Sequence, residues 1–375
     1  MHIFKPGRTF NFLRYRKLFG VISTLLVAGS LALLFVPGPN YGIDFKGGTE
    51  IELAFKTDTG PGALRSSIMG LGYERPQVVS VEGKLNQYII RIQEVSSLPK
   101  EQIEQIEAKL TSALGATQLE EMKVSPGGDK ISLRLSDTAD PTALEAALKQ
   151  AGAQVKKVTA FGRADDHRYE ARLVGVADEV VRGLQQAMPD RAPELPLRVE
   201  WVGPKAGAQL RDAALKALLY AVAFIMVYVA FRFDLRFAPG GVVAMVHDAM
   251  ITCGLFVVLQ KEVNLATVAA LLTVIGYSIN DTIVVYDRIR ENMHRMRDAS
   301  LYNLINISTS QTLSRTIITS ITTLLSISAF FIWGTPVIRD IVFALFVGFV
   351  VGTYSSIYVA APFTEWMDRR FFQRA

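Results

Sequence analysis

Cysteine is almost missing from this 375-residue chain. The single one, Cys253, excludes a disulfide framework. Zinc centres built on paired thiolates go with it. No P-loop, nucleophile elbow or metal-ligand cluster is present. No enzyme chemistry, cofactor or internal ATP use is therefore expected. Net charge is also small, at +5 beside a hydrophobic fraction of 50%, which excludes a disordered chain. The pI near 9.2 would suit a nucleic-acid partner, but the distribution of charge does not. Residues 38–212 carry 22 basic and 25 acidic side chains, and the remainder 18 and 10. The basic excess sits beside long apolar segments, where membrane topology places it.

Those apolar segments are the dominant feature. A span needs about 20 mostly apolar residues, and six candidates qualify. They run over about 18–36, 213–231, 241–260, 264–286, 308–333 and 340–363. Basic residues precede the first, as in a signal peptide, but Phe35-Val36-Pro37 offers no small-x-small cleavage site, so it reads as retained. Lys5, Arg8, Arg14, Arg16 and Lys17 precede span 1, and Arg232 and Arg236 link spans 2 and 3. Arg288, Arg290, Arg295 and Arg297 follow span 4, and Arg369, Arg370 and Arg374 close the chain. The loops of the other side hold only Lys261 and Arg339. The positive-inside rule then places both termini in the cytoplasm. The expected order is a tail (1–17), span 1 (18–36), a large external region (37–212), spans 2–6 (213–363) and a tail (364–375).

The external region alternates helical and strand periods. Strands are expected at 51–55, 77–81, 88–92 and 119–124, with helices at 63–71 and 99–114. A second set follows, with strands at 131–135, 155–161, 169–174 and 197–202 and helices at 141–151 and 177–188. Asp140 is the expected N-cap of the 141–151 helix. The pattern predicts two tandem βαββαβ ferredoxin-like modules, 37–127 and 128–212. A single larger α+β domain is the alternative. The fold class is thus a polytopic α-helical membrane protein with an external α+β region.

Ionisable residues inside spans need a reason, since a mid-helix carboxylate costs roughly 2.5–3.5 kcal/mol on insertion scales. Span 4 contains Asn280-Asp281, and span 3 contains His247-Asp248. Span 5 carries Arg315 within the hydroxyl-rich run from Ser308 to Thr323. At 1.5 Å per residue, Asp281 and Arg315 lie roughly 9–11 Å from the same boundary, so an ion pair between neighbouring spans is expected. Arg315, Thr319 and Thr322 share a helical face, with Thr312 above them. These residues are candidates for a proton relay. Each also has a plainer reading. Asp281 and Arg315 could be a static packing pair, and His247 and Asp248 could reach the interface. The hydroxyls serve equally as helix-packing groups. Asp287, Arg288 and Arg290 read as a solvated helix end, and Cys253 as a small apolar side chain.

Two segments carry a family resemblance. Tyr41-Gly42-Ile43-Asp44-Phe45-Lys46-Gly47-Gly48-Thr49 resembles the SecD/SecF signature that follows the first span. Its Gly47-Gly48 pair opens no nucleotide-binding helix and reads as backbone geometry where the chain leaves the membrane. Ile275-Gly276-Tyr277-Ser278-Ile279-Asn280-Asp281, continuing through Asp287-Arg288 to Asn292, is similar to span 4 of the SecF type. His247-Asp248 and Ser314-Arg315-Thr316 also match family positions. The family is related to resistance-nodulation-division transporters. The resemblance implies an accessory subunit of bacterial protein export in the inner membrane, using the proton motive force at late stages. It implies proton conduction at Asp281 and Arg315. It also implies a separate SecD-like chain, the SecYEG channel, YajC, unfolded preprotein and membrane lipid as partners. SecF-type members carry one small external domain, so the second module is expected as an addition. Two other functions fit the same residues: a half-sized proton-driven exporter of lipids or amphiphiles, and a scaffold that conducts nothing.

Overall fold

The computed structural model describes residues 9–372 except 82, 97, 115–118, 194, 234–235 and 335. Of the basic flanking residues, Lys5, Arg8 and Arg374 lie outside that set. The chain forms two compact units. One comprises the chain up to Gly42 together with Arg211 onward, and the other is Ile43–Leu210.

Among the described residues six helices are long and apolar enough to cross a membrane, and all but the first residues of the second belong to the first unit. Span 1 is Phe12–Phe35, span 2 Pro204–Arg232 and span 3 Ala238–Val258. Span 4 is Leu265–Arg295, span 5 Leu301–Trp333 and span 6 Ile338–Phe372. Several run past the apolar windows read from sequence, and polar caps open spans 4 and 5. Asn264 caps span 4 by accepting from Thr267 N, and Ser300 caps span 5 by accepting from Asn303 N. Span 6 is wound as a π-helix over Ser356–Ala360. Between spans 1 and 2 on one side and spans 3 and 4 on the other, β1 (Asn40–Tyr41) pairs in parallel with Glu262–Val263.

The strands of the second unit follow in chain order. They are β2 (Gly48–Ala54), β3 (Gln77–Ser80), β4 (Gln87–Ile92), β5 (Leu119–Val124) and β6 (Lys130–Leu135). After these come β7 (Val155–Ala160), β8 (Arg168–Leu173) and β9 (Arg198–Val202), and Glu262–Val263 of the first unit is β10. They form two antiparallel four-stranded sheets, in the orders β3-β4-β2-β9 and β5-β6-β8-β7. Both orders are ferredoxin-like, but the sheets are not the tandem pair expected. The boundary at 127/128 separates neither sheet, because β5 joins the second sheet and β9 closes the first.

Local chemistry explains this exchange. Ser125–Asp129 makes a tight turn in which Ser125 N donates to Lys130 O at 2.9 Å and Gly128 adopts φ +66°. A hairpin closes at little entropic cost, so β5 pairs with its immediate neighbour β6. β9 is held to β2 by charge. The buried Glu50 accepts from Arg91 Nε at 2.7 Å and from Arg198 Nη2 at 2.8 Å, clamping three strands. Residues 100–173 thus form the second sheet and two of its helices as one continuous insertion between β4 and the helix Val176–Ala187.

Each sheet has its own core. Ile51, Leu53 and Ile90 pack with Leu64, Ile68, Val180 and Leu184 from helices Pro61–Gly70 and Val176–Ala187. Ile131, Leu133 and Ala171 pack with Leu110 from Lys100–Leu114 and with Leu144 and Leu148 from Pro141–Ala151. Each such aliphatic burial stabilises by about 1.5–3 kcal/mol. Asp140 accepts from Thr142 N, which places the N-cap of Pro141–Ala151 at the expected residue.

Candidate functional site

Glycines decide how closely the spans approach. A methyl group on Gly348 of span 6 would lie 2.2 Å from Val274 Cγ2 of span 4, and one on Gly352 would lie 3.2 Å from Ser278 Cβ. Gly348-x-x-x-Gly352 is a small-xxx-small surface, which lets two backbones meet. On span 3, a methyl group on Gly240 would lie 2.5 Å from the hydroxyl of Tyr286. Tyr286 is fully buried there, its hydroxyl 2.9 Å from Thr364 Oγ1.

This tight packing brings polar groups of three spans onto one carboxylate. Asp248, fully buried in span 3, has its Oδ1 2.8 Å from His247 Nδ1. Its Oδ2 accepts from Ser278 Oγ of span 4 and from Ser355 Oγ of span 6, the latter at 2.7 Å. Thr252 Oγ1 donates to the Asp248 carbonyl at 2.7 Å. His247 is 4% exposed, its ring stacked at 6.0 Å on Tyr354, and its Nε2 is buried without a hydrogen-bond partner among the described residues. Both side chains are buried among the helices. Sequence reading missed Ser355 and gave Ser278 no role. The available signal was the glycine pair, which sets Ser355 three residues past Gly352.

Asp281 is different. It is 4% exposed, and its Oδ2 is buried with no hydrogen-bond partner among the described residues. The expected ion pair with Arg315 is not formed: among the described residues no contact within 4.0 Å joins them. Helix phase is the reason. The buried face of span 5 is Ser308, Thr309, Thr312, Thr316 and Ser320. Arg315 lies off that face and is exposed, with Thr319 and Thr322 beside it. Thr319 and Thr322 turn their hydroxyls back onto Arg315 O and Ile318 O of their own helix, at 3.0 and 2.8 Å. The buried Thr309 and Thr316 hydroxyls have no partner among the described residues.

Asn280 is also exposed and lies with Thr273, Gly276 and Asp287 along the outward stripe of span 4. Tyr277 is held by Thr323 at 3.1 Å and by Phe349, with ring centroids 4.0 Å apart. At the end of span 4, Arg232 Nη2 lies 3.6 Å from Asp287, and Arg288 Nε donates to Gln311 at 2.6 Å while its guanidinium pairs with Glu291.

The other motif is a backbone device. Gly42 N donates to Val263 O at 3.0 Å, and a methyl group on Gly42 would overlap the Glu262 carboxylate. Asp44 and Phe45 form the short helix Ile43–Lys46, with Phe45 buried and Asp44 half-buried. Gly47 and Gly48 follow at φ +76° and +125°. A side chain on Gly47 would meet Pro204 Cα at 2.8 Å, and one on Gly48 would meet Ile92 O at 2.4 Å. Only glycine accepts both the conformation and the contact.

Fold and site together define a multi-pass membrane protein with ionisable side chains buried in a six-helix bundle. Two family models match it: "Protein export membrane protein SecD/SecF, C-terminal" over residues 188–370, and "SecD/SecF GG Motif" over residues 32–59. The protein translocase subunit SecF of Pseudomonas aeruginosa is 33% identical over 96% of this chain and 92% of its own length. That of Magnetococcus marinus is 36% identical over 98% and 95%. The crystal structure of SecDF from Thermus thermophilus superposes with a TM-score of 0.68 at 30% identity, covering 98% of this chain. The chain spans 40% of the length of that solved chain. The chain belongs to the SecD/SecF family of protein-export membrane proteins.

Proposed function

We propose that this chain is the SecF-type subunit of an export translocase, working beside a SecD-like chain, and that proton entry into its bundle drives late steps of preprotein export. The observation that carries the reading is Asp281: a carboxylate inside the bundle with an oxygen that no donor satisfies. Such an acceptor is completed by a proton, by water, or by a cation brought to it. Arg315 on the adjacent span is that cation. A small rotation of span 5 would pair the two, and protonation of Asp281 would remove the attraction. This is a two-state element that a proton can bias. The membrane potential contributes about 2.3 kcal/mol per charge per 100 mV, enough to move such an equilibrium.

The same stripe supports a partner. Thr273 and Asn280 of span 4 and Arg315 and Thr322 of span 5 are polar groups that the single chain leaves uncovered. Hydrocarbon is a poor neighbour for them, and a second bundle that closes on spans 4 and 5 is a good one. The SecDF relative of Thermus thermophilus, 41% identical over 66% of this chain, carries both names in one polypeptide, which supports a SecD-like chain in that place. In this reading the basic flanks, from Arg14 and Arg16 to Arg369 and Arg370, face the cytoplasm of a bacterial inner membrane. The external sheets lie on the far side, where they hold chain emerging from a SecYEG channel, with YajC in the assembly.

The test is preprotein translocation into inverted membrane vesicles containing the SecD-like partner, with and without an imposed proton gradient. Asp281→Asn is expected to assemble with its partner and to lose the increment that the gradient adds. Equal stimulation of native and variant complexes would refute proton coupling at Asp281.

A further inference from the structure

Spans 1, 3 and 6 enclose a groove of about 1100 Å³. Span 1 meets its neighbours at small polar residues, with Ser23 Oγ 2.9 Å from the Tyr354 hydroxyl and Ser30 against Gly254. Beside these contacts the wall is aliphatic and aromatic, from Gly20, Val27 and Leu31 to Val246 and Phe363. Gly20 to Leu31 spans roughly 17 Å at 1.5 Å per residue, about one leaflet of a ~30 Å hydrocarbon core.

Charge gathers at one end. Arg16, Lys17, Arg369 and Arg370 line the mouth with a single carboxylate, Glu365. Glu365 is already committed, at 2.6 Å to Arg16 and 3.5 Å to Arg369. Lys17 and Arg370 are exposed, and among the described residues neither has a carboxylate within 4.0 Å. The mouth therefore carries a positive excess.

We propose that this groove binds an anionic glycerophospholipid, with its phosphate among Lys17, Arg370 and Arg16 and one acyl chain along the apolar wall. The pattern is that of a single amphiphile: charge at one end only and an apolar length of one leaflet. A partner helix fits less well. The uncovered polar groups that call for a protein partner lie on spans 4 and 5, not on these three. Basic pockets between spans select anionic headgroups.

Trp366 lines the groove and serves as the reporter. The full chain with Trp201→Phe and Trp333→Phe is placed in zwitterionic lipid nanodiscs and titrated with brominated phosphatidylglycerol or brominated phosphatidylcholine. Phosphatidylglycerol is expected to quench Trp366 at a mole fraction at least about fivefold lower, the factor that one Lys or Arg near a headgroup supplies. Lys17→Gln with Arg370→Gln should bring the two lipids together, while Arg295→Gln should not. If the Trp substitutions disturb folding, native mass spectrometry of the unaltered chain counts retained lipid of each class with the same expectation. Equal quenching by both lipids would overturn the proposal. Absence of quenching by either would place protein in the groove and overturn it too.

Discussion

Adding one methyl group to span 6 separates packing from composition. In Gly348→Ala the new Cβ would lie 2.2 and 2.4 Å from the two methyls of Val274 and 2.9 Å from its Cβ. Ordinary carbon contacts are about 3.5–4.0 Å, so the spans must part by about 1 Å or more. Val274 offers no escape, since a β-branched side chain in a helix has one strongly preferred rotamer. Overpacking of this kind costs about 1–3 kcal/mol. The separation also stretches the bond from Ser355 to Asp248, two turns further along span 6, and an interhelical bond in a membrane is worth about 0.6–1.7 kcal/mol. The total is about 2–4 kcal/mol. At about 2–4 °C per kcal/mol for a unit of this size, thermal unfolding in detergent should fall by roughly 5–15 °C. Gly276→Ala is the control. Its Cβ would meet nothing within 4 Å. Its effect on the chain alone should be neutral or slightly stabilising, since alanine is the better helix former by about 1 kcal/mol. The reasoning fails if Gly348→Ala melts with the native protein, or if Gly276→Ala falls equally far.

Two further outcomes follow from hydrogen bonds. In a double-mutant cycle of Ser355→Ala with Asp248→Asn, the coupling measured by thermal unfolding should be about 0.6–1.7 kcal/mol, and strict additivity would show that the Oδ2 bond contributes nothing. In the external unit, Asp58 accepts from the Tyr88 hydroxyl and from Gly60 N, and these bonds hold its carboxyl below the usual range. A depressed folded-state value stabilises above the ordinary carboxyl range near pH 3.9, and that contribution is lost as pH falls through the lower folded value. Unfolding measured from pH 6 down to pH 3 should show this acid loss in the native chain and less of it in Asp58→Asn; identical profiles would contradict the assignment.

The candidate site was legible in part. Asp281, Asp248 and His247 stand out in sequence because ionisable residues within apolar runs are costly, and the structure buries all three. The Asp281–Arg315 pair was not legible, because spacing along a chain sets depth but not rotation. Arg315 is one residue from Thr316, and that single step of about 100° separates an exposed cation from a buried hydroxyl. Ser355 was hidden for a similar reason: a serine in a span is unremarkable until a neighbouring helix comes within hydrogen-bond reach. The Gly127-Gly128 turn was a readable hairpin signal, yet the repeat-like order of helices and strands suggested a module boundary there.

Sequence alone determined the six apolar helices, the βα alternation between the first two, and the family motifs. These depend on composition and local periodicity, which each segment carries by itself. Tertiary structure alone decided the exchange of β5 and β9 between sheets, because strand pairing depends on which edges meet. It also decided the closure of three spans on Asp248, the outward phase of Arg315 and the groove beside span 1. Each of these is a relation between segments distant in the chain, created by close approach at glycine and by the rotation of one helix against another.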